Sequence, residues 1–224
     1  MSSPVAYTLA DGIATLAMDD GKANAMAPAM SAALNAGLDR AAKEGARAVV
    51  IRGRPGLLSG GFDLKIIRGD DEALKAQMRD AGMALLKRLY LSPLPIVFAV
   101  TGHAVAMGAL LLFAGDVRIG LAGDFRIGLN EVGIGLSLPI AGIELARDRL
   151  LPTELSRAIV YAQLYRPDEA AAVGYLDQVA TADAFDDRVR MAAEALAALD
   201  PAAFAETKRR LRQPTLDRIA ALGA

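Results

Sequence analysis

The alternation of short aliphatic runs with helical patterns is the feature that most constrains how this chain can fold. Residues 49–51 and 96–100 are runs of β-branched and other apolar residues, as expected for buried strands. The stretches 27–44 and 71–91 carry apolar residues at helical spacing. Near the start, an Asp-Gly pair at 11–12 between two extended segments predicts a β-hairpin. The order β-β-α-β, followed by a further helix and strand, predicts an α/β fold.

The second half of the chain continues this alternation and then becomes helical. Residues 102–115 form an apolar run that is too short for a bilayer span, which needs ~20 residues, so we predict a buried core helix there. Residues 140–150 and 153–161 also predict helices, and the last part of the chain is almost entirely helical in pattern. We therefore predict a core at 1–181 and a separate C-terminal helical region at 182–224.

The composition indicates a globular protein and disfavours several classes of partner. Of the 224 residues, 54% are hydrophobic and the mean hydropathy is +0.30, too apolar for a disordered chain. The formal net charge of -1 gives no general attraction to nucleic acids or anionic membranes, so we expect neither as a partner. The sequence has no cysteine for disulfides or thiolate chemistry, and its first residues, MSSPVAY, lack a signal-peptide pattern, so we expect a cytoplasmic protein.

Three glycine-bearing segments directly follow extended runs, where backbone N–H groups are easily exposed. They are SGGFDLK at 59–65, at the end of a predicted loop, TGHAVAMGALLL at 101–112 and IGLNEVGIG at 127–135. A glycine-rich turn that opens a helix presents unpaired N–H groups and a partial positive charge, so two such turns can bind one anionic group. The alternative is that the glycines only permit tight turns, and the residues alone leave both interpretations open. None of the segments has the spacing of a dinucleotide-binding or P-loop motif.

Glu131 is unusual among the carboxylates because its neighbours Leu129, Val132 and Ile134 are apolar. A desolvated carboxylate has a raised pKa and is suited to general-base catalysis. A helix-capping or ion-paired glutamate is the alternative interpretation. The only histidine, His103, lies in a turn, and no cysteine or second histidine exists to partner it. We therefore assign His103 a structural role and predict neither a hydrolytic triad nor a metal site.

Taken together and in this order, the three segments resemble those of the crotonase family of enoyl-CoA hydratases and isomerases. The stretch RPDEAAAVGYLDQV at 166–179 adds to the resemblance, which extends from about residue 5 to residue 208. The family fold is a spiral of ββα units followed by a helical region that packs trimers, which sometimes pair into hexamers. The resemblance implies an α/β, crotonase-like spiral, an acyl-CoA substrate, a homotrimer or homohexamer, and no metal or redox cofactor.

The resemblance also assigns roles to particular residues. It implies that the backbone N–H groups of Phe62 and Met107 form an oxyanion hole and that Glu131 is the catalytic carboxylate. The residues expected along the path of the CoA and the substrate are Lys22, Ala23, Ala25, Gly61, Lys65, Leu110 and Lys208. Of these, Lys65 and Lys208 are expected beside the CoA phosphates. Because Phe62 and Met107 replace smaller residues of the family, their side chains are expected to reshape the pocket.

One departure from the hydratase pattern concerns the reaction. Hydratases of the family usually carry a second glutamate on the helix after the second turn, and Leu110 occupies that position here. Moving a double bond from the β,γ to the α,β position needs a single proton carrier, so we predict isomerisation of a 3-enoyl-CoA to a 2-enoyl-CoA. Hydration of an enoyl-CoA is the alternative reaction, and non-catalytic acyl-CoA binding is the alternative of another class. The C-terminus is shorter than is usual in the family, so we expect the acyl pocket to be completed differently.

Overall fold

In the computed structural model, which describes residues 3–222, strands and helices alternate largely as the sequence predicts. The strands are β1 (Val5–Ala10), β2 (Ile13–Met18), β3 (Ala48–Arg52), β4 (Gly56–Ser59), β5 (Ile96–Val100), β6 (Gly102–Val105), β7 (Val117–Leu121), β8 (Ile127–Gly128) and β9 (Gln178–Ala180). The α-helices are α1 (Pro28–Lys43), α2 (Leu64–Arg68), α3 (Glu72–Tyr90), α4 (Met107–Ala114), α5 (Ile140–Arg149), α6 (Pro167–Val173), α7 (Phe185–Ala197) and α8 (Pro201–Ala221). Shorter 3₁₀ turns lie at Val132–Ile134 and Pro152–Glu154, and a π-helical turn lies at Ser156–Val160.

Local sequence signals explain where the long helices begin. Pro28 occupies the first turn of α1, where its missing N–H costs no hydrogen bond. The Asp71 carboxylate accepts a hydrogen bond from the Leu74 N–H at 2.9 Å and caps α3. Asp200 caps α8 in the same way, through the Ala203 N–H at 2.8 Å. Each cap satisfies an N–H group that the first helical turn leaves without a partner.

The strands form two sheets that the chain visits in turn. The larger sheet has the order β1-β2-β3-β5-β7-β9, and the smaller has the order β4-β6-β8. The β1–β2 pair is antiparallel, whereas the other pairs in both sheets are parallel. Each of β3, β5 and β7 joins the larger sheet, and the strand that follows it joins the smaller one. The chain therefore winds as a spiral of ββα units, which confirms the predicted fold class.

Three segments differ from the sequence-based prediction. The expected loop before Gly61 contains β4, and the apolar run at 102–115 is a strand followed by a helix rather than one helix. The helix expected at 153–161 is a 3₁₀ turn followed by a π-helical turn. The β4–β6 pairing explains the first two differences, since a Cβ on Gly102 would lie 1.9 Å from the Gly56 carbonyl carbon. Such a close approach of two backbones depends on residues that are far apart in the chain, so the sequence around each strand gives little indication of it.

Helices cover both faces of the larger sheet. One large apolar cluster joins α1, α3 and α4 to the sheets, and α4 is buried along its whole length. On the opposite face, Phe185, Val189 and Ala193 of α7 pack against a second cluster that includes Val97 and Ile119. Thus α7 forms a layer on the sheet, whereas α8 packs against α5. The boundary between residues 181 and 182 stays a prediction. Among residues 3–222, no helix is both long and apolar enough to traverse a bilayer.

A buried charge cluster fixes the C-terminal end of α4 to the final helix. The Asp116 carboxylate accepts hydrogen bonds from the Ile96 N–H at 2.8 Å, from Lys208 Nζ at 2.7 Å and from an Arg212 Nη at 2.8 Å. Arg212 also donates to the carbonyls of Ala114 and Gly115. The guanidinium satisfies carbonyls that have no partner within the helix, and its positive charge complements the helix dipole there.

We expect Asp116→Ala to lower the free energy of unfolding by about 3–5 kcal/mol, because it leaves two buried cations without their carboxylate. Urea denaturation measures this difference. The matched control is Asp217→Ala, which removes a carboxylate from the exposed face of α8 and should change stability little. Equal effects of the two substitutions would contradict a structural role for the Asp116 cluster.

Candidate active site

The three glycine-bearing segments meet at one edge of the smaller sheet. Strands β4, β6 and β8 run parallel and end at Ser59, Val105 and Gly128, so the turns that follow them lie side by side. The first two turns are in contact: a Cβ on Gly61 would lie 2.8 Å from the Ala106 Cβ and 3.4 Å from the Met107 nitrogen. Gly61 also has a φ of 92°, which favours glycine. The contact between the first two turns thus explains the glycine at position 61.

The backbone N–H groups of Phe62 and Met107 are available at this edge. Neither donates a hydrogen bond to another residue in the part of the chain that the structure describes. Met107 is the first residue of α4, so its N–H belongs to the positive end of that helix. The preceding Ala106 has a φ of 50° and a ψ of -126°, a strained conformation that redirects the chain from β6 into the helix. The two N–H groups therefore have no partner among the described residues, and their role as an oxyanion hole stays a prediction.

A cavity of about 410 Å³ adjoins this edge. Its lining comprises Phe62, Ile67, Glu72, Lys75, Met78, Arg79, Met83, Leu110, Glu131, Leu136, Ser137 and Pro139. The structure thus brings together three of the predicted site residues, Phe62, Leu110 and Glu131. The lining is mainly apolar, with charged side chains contributed by α3 and a single carboxylate from the third turn, and this composition is typical of a ligand-binding pocket.

Glu131 lies where the third turn enters the 3₁₀ segment Val132–Ile134. Its Oε2 atom is buried and has no hydrogen-bond partner among the described residues. Burial raises the pKa of this carboxyl group, and a backbone hydrogen bond only partly opposes the change. The alternative interpretations do not hold, since the side chain neither caps the 3₁₀ turn nor forms an ion pair within residues 3–222. A carboxylate oxygen that is buried without a partner beside an apolar cavity is suited to accepting a proton.

The other carboxylate in the lining, Glu72, has a different environment. Its side chain is 77% exposed and pairs with Lys75 Nζ at 2.6 Å. Both residues belong to the first turns of α3, at the mouth of the cavity. This carboxylate is therefore solvated and ion-paired, in contrast to the buried Glu131 Oε2.

Gly82 is a site residue that the sequence reasoning missed. A Cβ at this position of α3 would lie 2.6 Å from Phe62 Cε1 and 3.6 Å from Met107 Cε. The missing side chain of Gly82 therefore makes room for the two large side chains expected to reshape the pocket. Gly82 lies in a helix with no turn signal, so only the three-dimensional contact reveals its role.

The segment KANAM at 22–26 pairs with the first glycine-bearing turn. The Gly60 N–H donates to the Ala23 carbonyl, and the Met26 N–H donates to the Gly61 carbonyl, both at 2.8 Å. The segment that contains Ala23 and Ala25 therefore lies against Gly61, and the contact of these three residues with CoA stays a prediction. The side chains of Lys22 and Lys65 are exposed, and their contact with CoA stays a prediction.

The prediction for Lys208 requires correction. The residue is 6% exposed and its ammonium forms a 2.7 Å ion pair with Asp116. Desolvation, only partly offset by that carboxylate, lowers the pKa of Lys208 to about 8. A buried ammonium already held by a carboxylate is not available to a solvated phosphate, so Lys208 stabilises α8 rather than the CoA.

His103 has the structural role that the sequence suggested. Its Nδ1 accepts a hydrogen bond from the Arg126 N–H at 3.0 Å, and its ring packs edge-on against Phe125. Within residues 3–222, no group of three or more histidine, aspartate or glutamate side chains is placed to hold a metal ion.

Comparison with known proteins agrees with this geometry. A family model described as enoyl-CoA hydratase/isomerase matches residues 8–222. The chain belongs to this family, the crotonases. A crystal structure of a family member from Pseudomonas syringae is 42% identical and has a TM-score of 0.93, covering 97% of this chain and 94% of the other. The strand spiral and the three adjoining turns are thus features of a crotonase.

Relatives of this crotonase carry the names of both reactions. The chain is 30% identical over 167 residues to enoyl-CoA delta isomerase 1 of Rattus norvegicus, covering 74% of this chain and 58% of the rat protein. It is 31% identical over 209 residues to a probable enoyl-CoA hydratase of Rhodobacter capsulatus, covering 92% of this chain and 79% of the Rhodobacter capsulatus protein. The chain thus spans less than two thirds of the rat isomerase.

The raised pKa of Glu131 predicts a pH-dependent effect on stability. The folded protein retains this proton to a higher pH than the unfolded chain, so ionisation of Glu131 destabilises the fold above the raised pKa. Below the ordinary glutamate pKa of about 4.3 the effect vanishes. Urea denaturation should show that Glu131→Gln is more stable than the unmodified protein at about pH 8, by a margin that shrinks towards pH 4.

The control is Glu72→Gln, which neutralises an exposed carboxylate and should show no comparable gain at pH 8. A Glu131→Gln variant that is less stable than the unmodified protein at pH 8 would show that the charged carboxylate is well solvated.

Proposed function

We propose that this protein isomerises 3-enoyl-CoA thioesters to 2-enoyl-CoA thioesters, with Glu131 as the only proton carrier. The proposal rests on the chemical character of two residues in the cavity wall. Glu131 contributes a carboxylate whose Oε2 is buried and has no partner among the described residues, whereas Leu110, at the position of the second hydratase glutamate, is apolar and 2% exposed. A reaction that needs one proton carrier fits this wall better than one that uses two.

The geometry supports a two-step proton transfer. The thioester oxygen accepts hydrogen bonds from the N–H groups of Phe62 and Met107. The Glu131 carboxylate removes a proton from the α-carbon, and the electron pair of that C–H bond delocalises over the β,γ double bond and the thioester as a dienolate. The protonated Glu131 then returns the proton to the γ-carbon, which leaves the double bond at the α,β position. The same proton is removed and returned, and the N–H groups stabilise the negative charge that develops on the thioester oxygen.

The residues that line the same cavity support hydration less well than isomerisation. A catalytic water needs about two to four polar partners to be held in place. Leu110 offers none, and the second carboxylate of the lining, Glu72, is ion-paired at the mouth of the cavity. Non-catalytic binding is also less well supported, because a buried unpaired carboxylate lowers stability and has no evident purpose in a passive acyl-CoA site.

We also propose that the protein assembles as a homotrimer or homohexamer in the cytoplasm and uses no metal or redox cofactor. An exposed apolar patch beside the cavity supports self-association. Val132, Val160 and Tyr161 are 47%, 58% and 71% exposed. The two turns that carry them are adjacent, since a Cβ on Gly133 would lie 3.6 Å from the Ala162 Cβ. Covering such a patch with another subunit would remove apolar surface from water.

We expect the unmodified protein to convert a 3-enoyl-CoA to a 2-enoyl-CoA faster than it hydrates the 2-enoyl-CoA. Both rates are measurable from the absorbance of the conjugated thioester. Glu131→Gln should lower the isomerisation rate at least ~100-fold, the lower end for loss of a general base. The matched control, Glu72→Gln, should retain most of the activity because that carboxylate is exposed and paired.

Rapid hydration without measurable double-bond migration would refute the isomerase proposal. Unchanged isomerisation by Glu131→Gln would remove this residue from the mechanism.

A further inference from the structure

Buried polar atoms without a partner are concentrated around the third glycine-bearing turn. Within residues 3–222, five buried side-chain oxygen atoms have no hydrogen-bond partner. Four of them are Asn130 Oδ1, Glu131 Oε2 and the hydroxyls of Tyr165 and Tyr175, and the fifth is Ser31 Oγ in α1. Folded proteins pair nearly all of their buried polar groups with other protein groups or with ordered water. The four atoms therefore call for a physical explanation.

The two tyrosines form the wall behind the third turn. Tyr165 exchanges two backbone hydrogen bonds of 2.9 Å with Ile127, so it lies beside the strand that leads into the turn. The Tyr175 ring lies 5.8 Å from the Tyr165 ring and stacks on Phe113 at 5.3 Å. Phe113 belongs to α4, which also contributes to the wall of the cavity that contains Glu131. The tyrosine hydroxyls are buried and are thus cut off from bulk solvent.

The Tyr175 hydroxyl faces the third turn. Burial raises the pKa of Tyr175, the Leu129 N–H opposes this change, and negative charge on Tyr165 and Glu131 adds to it. A backbone N–H acts on a hydroxyl only over a short distance, so the hydroxyl lies beside Leu129, two residues before Glu131. No direct hydrogen bond joins the Tyr175 hydroxyl to Glu131 Oε2. The two groups are therefore neighbours that do not touch.

The Tyr165 hydroxyl has a different neighbour. Burial raises the pKa of Tyr165, and the negative charge of Glu154 adds to this change, whereas Arg157 opposes it. Glu154 and Arg157 form an ion pair at 3.8 Å in the turns at 152–160. The Tyr165 hydroxyl therefore lies beside this ion pair, which makes Tyr165 a matched comparison for Tyr175.

The remaining three atoms match the hydrogen-bonding capacity of one water molecule. The ionised Glu131 carboxylate and the Asn130 amide oxygen only accept hydrogen bonds, whereas the Tyr175 hydroxyl can donate one. Water donates two hydrogen bonds and accepts others, and a buried water typically makes about three. One water can therefore accept from Tyr175 and donate to Glu131 Oε2 and Asn130 Oδ1, so that each of the three atoms has a partner.

We propose that Tyr175 is a positioning residue that holds the Glu131 carboxylate through one buried water. This inference rests on the proposed function, in which Glu131 removes the α-proton. A hydrogen bond to Oε2 favours the ionised carboxylate and fixes its orientation, which leaves Oε1 for the α-carbon of the substrate. The water reduces the effect of burial on Glu131 without cancelling it. Tyr175 itself contacts no reacting atom and carries no proton.

Charged groups from neighbouring elements also surround the cavity and the two tyrosines. They are Glu72, Lys75 and Arg79 of α3, Glu154 and Arg157 of the turns at 152–160, and Glu169 of α6. Tyr175→Phe retains all of these groups, and it also keeps the aromatic ring that stacks on Phe113. A change in the titration of Glu131 in this variant therefore reports the loss of the hydroxyl.

The first test is the pKa of Glu131, measured by infrared difference titration against Glu131→Gln so that no turnover is needed. We expect Tyr175→Phe to raise this pKa by about one pH unit, because the ionised carboxylate loses a hydrogen-bonded partner. The control is Tyr165→Phe, which removes a hydroxyl that is also buried and should leave the Glu131 pKa unchanged. An unchanged pKa in Tyr175→Phe, or an equal rise in both variants, would overturn the inference.

The second test is urea denaturation, which shows whether the Tyr175 hydroxyl has a partner at all. Removing a buried hydroxyl that lacks a partner relieves a desolvation cost, whereas removing a hydrogen-bonded one leaves its partner unsatisfied. We expect Tyr175→Phe to be less stable than the unmodified protein, by a margin that grows from about pH 4 to about pH 8 as Glu131 ionises. A variant as stable as the unmodified protein at pH 8, or more stable, would overturn the inference.

The pH profile of isomerisation separates this inference from the proposed function. The rate should fall at low pH as Glu131 becomes protonated, and Tyr175→Phe should move this fall upwards by about one pH unit while KM stays unchanged. A protein that isomerises a 3-enoyl-CoA with the same pH profile in Tyr175→Phe refutes only the positioning role. A protein in which Tyr175→Phe raises the Glu131 pKa, but which isomerises no 3-enoyl-CoA, refutes only the proposed reaction.

Discussion

Helix α4 is buried along its entire length, and the protein must therefore satisfy the polar groups at both of its ends. At the C-terminal end, Arg149 donates to the carbonyls of Phe113 and Gly115, and Arg212 donates to those of Ala114 and Gly115. At the N-terminal end, the Met107 N–H has no partner among the described residues and faces the active-site edge. The same helix thus links the anchoring of α8 to the site proposed to bind the thioester oxygen.

The groups that stabilise the fold and the groups of the proposed active site therefore lie in different places. The Asp116 cluster pairs its buried charges with one another, so it contributes to the fold. The Glu131 Oε2 is buried and has no partner among the described residues, so ionisation of this carboxyl group weakens the fold. Ala106 adds backbone strain at the start of α4. The residues that are locally unfavourable lie where the chemistry occurs, and the paired groups lie at the far end of the same helix.

Much of the fold and part of the site could be predicted from the sequence because their signals are local. The hairpin, α1, α3 and β5 follow from turn residues and apolar spacing, and the three glycine-bearing segments mark the ends of β4, β6 and β8. What the sequence did not reveal depends on contacts between distant residues. Strand β4 was interpreted as loop because its pairing with β6 depends on a glycine contact, and Gly82 is recognisable only beside Phe62. Lys208 was predicted to lie beside the CoA phosphates because its pairing with Asp116, which is far away in the chain, leaves no local signal.

In the proposed mechanism, the N–H groups of Phe62 and Met107 polarise a thioester carbonyl. Infrared difference spectroscopy of a carbonyl-labelled acyl-CoA tests this polarisation, because hydrogen bonds to the oxygen weaken the C=O bond. We expect the bound thioester to absorb at a lower frequency than in water, since two fixed donors in a mostly apolar cavity polarise the carbonyl more strongly than solvent does. Glu131→Gln should keep this shift, because the donors are backbone groups. A carbonyl frequency in the complex that equals or exceeds the value in water would contradict the oxyanion hole.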